Sequence, residues 1–181
     1  DLAKAISPNC KQKVIGILDI GAQSTTCSII DKRVMKVSHS FDIAGNELTQ
    51  IIAKSLSIDY QDAENLKQQF GLEAASSPKV GVPQNIKEIL SPLIDVILRE
   101  IERVSRNFFQ SEGKEIQKYI IAGGTALLPG LKEYFENHLK KEVEIANPFP
   151  RIFYPPILEK KLKTMGPSYA IAVGMALRGL E

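Results

Sequence analysis

The chain has 181 residues, 44% of them apolar, and a net charge of +2. That length buries a real core, as one domain or as two small intimate subdomains. Its lysines are scattered, so nothing in the charge pattern points to nucleic acid, and no apolar run reaches the about 18 residues of a membrane span.

The first elements form a three-stranded meander. Strands are predicted over Val14–Ile20, Thr25–Ile30 and Val34–Phe41, with Asp31-Lys32-Arg33 as the second turn. The first turn is the informative one. It carries Asp19, Gly21, Ser24, Thr25 and Thr26 between two β-branched apolar runs. Gly21 lets the backbone bend closely, and the N–H groups and hydroxyls of such a turn can hold phosphate oxygens. Asp19, at a strand end, has the chemistry to orient a hydrated Mg²⁺. The same residues also describe an ordinary hairpin with a polar turn.

A helix follows over Asn46–Leu56, with Leu48, Ile51, Ile52 and Leu56 on one stripe. A second runs from after Gln61 to about Phe70, where Gly71 is a stop signal. Glu73 to Pro83 reads as a loop. The longest periodic stretch is Gln84–Phe109, and Pro92 inside it predicts a kink or short break near Ser91. Just over three heptads of mixed Ile, Leu, Val and Phe fit a helix covering a sheet better than a coiled coil.

Strand Tyr119–Ala122 then leads into Gly123, Gly124 and Thr125. Adjacent glycines after a buried strand let another group approach the backbone, and a flat purine is one candidate; packing alone is the other. Pro129 is predicted to open a helix ending near Lys140, with Leu131, Tyr134, Phe135 and Leu139 on its apolar face. Strand Val143–Ala146 follows, then a loop over Asn147–Pro156 with four prolines, and a basic surface run at Lys160–Lys163. The terminal helix holds Ala170, Ala172, Gly174 and Ala176, which predicts tight packing on the sheet, with an inter-lobe contact as the other use. Cys10 and Cys27 read as one exposed and one buried thiol. His39 and His138 have no metal-ligand spacing and read as surface residues.

In this order, DIGAQSTT, IAGNELT, DAENLKQQFG and AGGTALLPG resemble the second phosphate loop, the start of the helix after the meander, the Glu/Lys helix and the adenosine loop of the actin, Hsp70 and hexokinase superfamily. Within it the chain is similar to the PilM family, the actin-like proteins of type IV pilus assembly. IDYQDAENLKQQFGL, the ANPF turn at Ala146–Phe149 and the ending GPSYAIAVGMALRGL carry that likeness. It implies an α/β fold, a ribonuclease H-like second lobe with a mixed sheet, an antiparallel meander, packed helices and a small inserted subdomain. The expected organisation is an inter-lobe linker remnant at 1–13, a sheet subdomain at 14–56 and 118–181, and an inserted subdomain at 57–117. Complete members have two lobes around a nucleotide cleft, so the chain is expected to be the second lobe alone.

The resemblance also implies ATP and Mg²⁺ as ligands. Asp19 would hold waters on Mg²⁺, and the backbone of Gly21, Ala22, Gln23 and Ser24, with Thr25, would meet the β- and γ-phosphates. Gly123, Gly124 and Thr125 would line the nucleoside pocket, with Leu127 against adenine and Glu64, Lys67 and Gln68 near the ribose. Ala22 stands where many hydrolytic members have glycine, and Gln23 is bulkier than their residue, so ATP is expected to act as an assembly ligand with slow or no hydrolysis. A PilN-like membrane protein tail, bound mostly by the other lobe, and self-association are the implied partners. A cytoplasmic protein held peripherally at the inner membrane is implied, with no membrane insertion of its own. The alternatives are an FtsA-like division filament ATPase and a nucleotide-free structural lobe like that of GspL in type II secretion.

Overall fold

The computed structural model describes residues 13–73, 86–149 and 152–178. Residues 1–12 of the expected linker remnant, Cys10 among them, and most of the Glu73–Pro83 loop lie outside them. Strands β1 (Ile15–Ile20), β2 (Thr25–Asp31) and β3 (Val34–Phe41) form the predicted meander. Helices α1 (Gly45–Leu56), α2 (Tyr60–Phe70) and α3 (Ile86–Glu112) follow. Strand β4 (Lys118–Ala122) leads through a 3₁₀ turn at Gly124–Leu127 to α4 (Leu131–Leu139), β5 (Glu142–Ile145) and the terminal α5 (Glu159–Arg178).

The five strands lie in the order β3-β2-β1-β4-β5. β1, β2 and β3 pair antiparallel, while β4 joins β1 and β5 joins β4 in parallel. Alternation along each strand splits the core across the sheet. Leu18, Ile20, Cys27, Ile29 and Ile121 pack with Leu48 and Ile52 of α1, Ala63 of α2, Ile94 and Ile101 of α3 and Phe135 of α4. On the opposite face, Ile15, Ile17, Ile30, Ile120 and Ala122 pack with Ala146 and Ala170. The parallel placement of β1 and β4 brings the turn after β1 beside the glycines after β4.

Three local expectations need correction. Of the kink or short break expected near Ser91, the break is absent: α3 runs unbroken through Pro92. Pro92 and Glu88 are both exposed, so the helix loses one solvent-side hydrogen bond rather than a buried one. Pro129 does not open α4: Gly130 intervenes as a left-handed N-cap (φ 75°), and the helix starts at Leu131. Of the small residues in α5, Ala170 and Gly174 are buried, one turn apart, whereas Ala172 and Ala176 are exposed. Ala170 packs into the core cluster on the second face of the sheet.

Candidate functional site

The turn joining β1 to β2 is tied to the start of α1. Gly21 N–H donates to Ser24 O at 3.0 Å, which closes the hairpin. Gly21 O accepts from Gly45 N–H (3.0 Å) and from the Thr125 hydroxyl (3.2 Å), and Ala22 O accepts from Asn46 N–H (2.8 Å). Two backbone donors of the α1 N-terminus, which a helix cannot satisfy internally, therefore hold the turn in place. Glu47 reaches back to accept from Ala44 N–H at 3.0 Å. A side chain at Gly45 would put a Cβ 2.8 Å from the Thr125 hydroxyl and 3.1 Å from Gly21 O, so only glycine permits this closeness.

Helix α2 supplies the second wall. Asp59 caps it, accepting from Asp62 N–H at 2.8 Å. Glu64 and Lys67 share one helix face, as their spacing predicts, and form an ion pair at 2.7 Å. The Lys67 ammonium is buried and also donates to Gly45 O (3.0 Å) and the Thr49 hydroxyl (2.7 Å). Thr49 in turn bonds Glu64, whose other oxygen accepts from Gln68 at 2.8 Å. Burial pushes the Glu64 carboxyl up, but the hydrogen bonds from Lys67, Thr49 and Gln68 and the charge of Lys67 outweigh it and leave its pKa below 4.5.

The glycines after β4 form the third wall. Gly123 holds φ 87°, and a Cβ there would lie 2.3 Å from Ile20 O and 2.7 Å from Asp19 Oδ1. Its N–H donates to Pro167 O at 2.9 Å, which joins α5 to the wall.

Together these walls enclose an open cleft of about 560 Å³. Of the residues predicted from sequence, Gly21, Ala22, Glu64 and Lys67 line it, as do Gln68, Gly124, Thr125 and Leu127. Gln23 and Ser24 are exposed at the turn tip, outside the lining. Gly123 is buried behind it. Thr25 departs from expectation: it is fully buried, and its hydroxyl donates to Ile43 O at 2.6 Å, so it braces the hairpin against the chain entering α1. Gly45, Asn46, Tyr60, Leu128 and Ser168 also line the cleft and were missed. The Ala44-Gly45-Asn46 run before a helix was the available signal for two of them. Nothing local marks Tyr60 or Ser168, which reach the cleft by long-range packing.

Asp19 sits behind Gly123, half-buried, and burial raises its carboxyl above 3.8. It has no ion-pair partner among the described residues. A carboxylate desolvated without a cation fits a hydrated divalent ion, which would restore its charged form.

The family model for type IV pilus assembly protein PilM matches residues 1–180. The chain belongs to the PilM family. It is similar, at 25% identity and a TM-score of 0.81, to a solved PilM–PilN type IV pilus biogenesis complex, covering 99% of this chain and 49% of that one. The FtsA cell division protein of Staphylococcus epidermidis is 24% identical over 179 residues, covering 91% of this chain and 39% of that protein. MreB5 of Spiroplasma citri bound to AMPPNP shares the fold at 18% identity and a TM-score of 0.64, with 97% of this chain and 56% of that one covered. The fold is therefore that of the actin-like ATPases. The chain spans half or less of the PilM and FtsA proteins it matches.

Proposed function

We propose that this PilM-type lobe carries half of a nucleotide site and binds Mg·ATP as an assembly ligand of a type IV pilus platform. The observation that carries the reading is the cleft itself. A glycine turn, the positive end of α1, a Glu/Lys helix and a paired-glycine turn converge on a space wide enough for a nucleoside and its phosphates.

In this reading the N–H groups of Ala22, Gln23 and Ser24 face the phosphates, while Gly21 keeps its own N–H for the hairpin. Asp19 holds waters on Mg²⁺, which would neutralise phosphate charge. Gly123, Gly124 and Thr125 shape the nucleoside wall, Leu127 lies against the adenine, and Glu64 and Gln68 reach the ribose. Lys67, already bonded to three groups, fixes Glu64 and the α1 start rather than reaching out. Nucleotide would then set the closure of two lobes, with hydrolysis slow or absent. The partner is a PilN-like tail held mostly by the other lobe, in the cytoplasm at the inner membrane. The PilM–PilN neighbour supports a PilN-type partner.

Calorimetric titration of Mg·ATP into the full-length protein, beside its Asp19→Ala variant, tests the site. Weaker binding by the variant is expected; equal affinity would contradict it. A second reading is a structural lobe that has given up nucleotide, with FtsA-like filament ATPase activity as a further contrast. The internal commitment of Lys67, Thr25 and Gly21 N–H favours the structural version. Absence of binding in the same titration would establish it over the nucleotide reading.

A further inference from the structure

The segment leading into α5 has a surface that the cleft does not use. Phe153 is 100% exposed and Ile157 88% exposed, the two most exposed large apolar side chains among the described residues. Leu158 is exposed beside them. The backbone that carries them is constrained: Pro155 and Pro156 fix φ, and Leu158 N–H donates to Pro155 O at 3.0 Å in a short 3₁₀ turn. The first two turns of α5 then present Lys160, Lys161 and Lys163, all exposed. Lys163 pairs with Glu159 at 2.7 Å, but Lys160 and Lys161 make no ion pair among the described residues.

We propose that residues 152–163 form a peripheral docking surface for an anionic membrane, at the depth of the lipid headgroups. Protruding apolar side chains next to unpaired lysines match an interface that offers hydrocarbon beneath a layer of negative charge. Lysine stems can lie along the apolar boundary while the ammonium groups stay at the phosphates. The proline-fixed backbone lowers the ordering cost of presenting Phe153 and Ile157. A protein partner suits these residues less well. Phe153 is sheltered by no described residue, which fits a side chain that enters a fluid layer better than one seated in a fixed protein pocket. No spanning segment is invoked; no described helix is long and apolar enough to cross a membrane. None of these residues lines the cleft, so the inference stands apart from the nucleotide reading.

Sedimentation of the full-length protein with vesicles of phosphatidylcholine and phosphatidylglycerol tests the surface, with pure phosphatidylcholine vesicles as the control. Binding to the anionic vesicles alone, weakening as salt rises, is expected. Phe153→Ser with Ile157→Ser, and separately Lys160→Glu with Lys161→Glu, should each lower it about tenfold or more. Thermal melting and sedimentation velocity on the same variants report whether a protein contact has been lost instead. No binding of the unmodified protein to anionic vesicles would overturn the proposal. So would unchanged vesicle binding by both variants, or a change confined to melting or oligomeric state.

Discussion

The Lys67 ammonium lies 3.0 Å from the carbonyl oxygen of Gly45, the residue whose own N–H donates to Gly21 in the turn after β1. One buried charge on α2 therefore fixes the start of α1, and α1 fixes the turn. Lys67→Met would remove the buried ammonium that Glu64 and Gly45 O share, leaving Thr49 as the buried donor to both. A loss of about 2–3 kcal/mol of stability is expected, measured by urea denaturation. Nucleotide affinity, if it falls, should fall through displacement of the turn, so amide shifts should move at Gly21 and Ala22 in the free protein.

Thr25→Val separates bracing from phosphate contact. The variant keeps the shape but loses the 2.6 Å bond to Ile43 O, which should cost about 1–2 kcal/mol. Mg·ATP affinity should stay within twofold of the parent in the same titration, because the hydroxyl faces the core. A large loss of affinity without loss of stability would restore Thr25 as a phosphate ligand.

Gly123→Ala places a side chain at φ 87° and 2.3 Å from Ile20 O. The strain and the clash together should cost about 3 kcal/mol, read as a lower thermal midpoint. The neighbouring Gly124 is exposed, and a Cβ there would meet only Ser168 Oγ at 3.8 Å. Gly124→Ala should therefore fold normally, which makes it the better probe of ligand access.

The two carboxyls of the site should respond to acid in opposite senses. Glu64 is held below 4.5 in the folded chain, so its contribution is present above that value and is lost as pH falls through its folded pKa. Asp19 is raised above 3.8, so it takes a proton more readily when folded and its burial cost is relieved as pH falls through its folded pKa. Carboxyl NMR titration should find Glu64 below 4.5 and Asp19 above 3.8. Glu64→Gln should flatten the loss of stability on the acid side.

Much of this was legible in the chain because it is local. Alternation over Ile15–Phe41 specified the meander, and the three-residue spacing of Glu64 and Lys67 put both on one face of α2. What escaped is set by distance in sequence or by backbone detail. Gly45 and Ser168 reach the cleft through contacts with Gly21 and Gly124, far away along the chain. The inward turn of Thr25 follows from strand parity: Thr25, Cys27 and Ile29 share the core face, while Thr26 and Ser28 pair with Ser40 and Ser38 on the other. The start of α4 depends on the left-handed Gly130, which Pro129 beside it disguised as a helix start.

The most direct measurement is a Mg·ATP titration of this chain followed by amide NMR shifts. Saturable shifts clustered at Ala22, Asn46, Gln68 and Gly124, with little change at Thr25, are the predicted result. Absence of shifts from those amides at saturating nucleotide, both in this chain and in the full-length protein, would contradict a nucleotide site in the cleft.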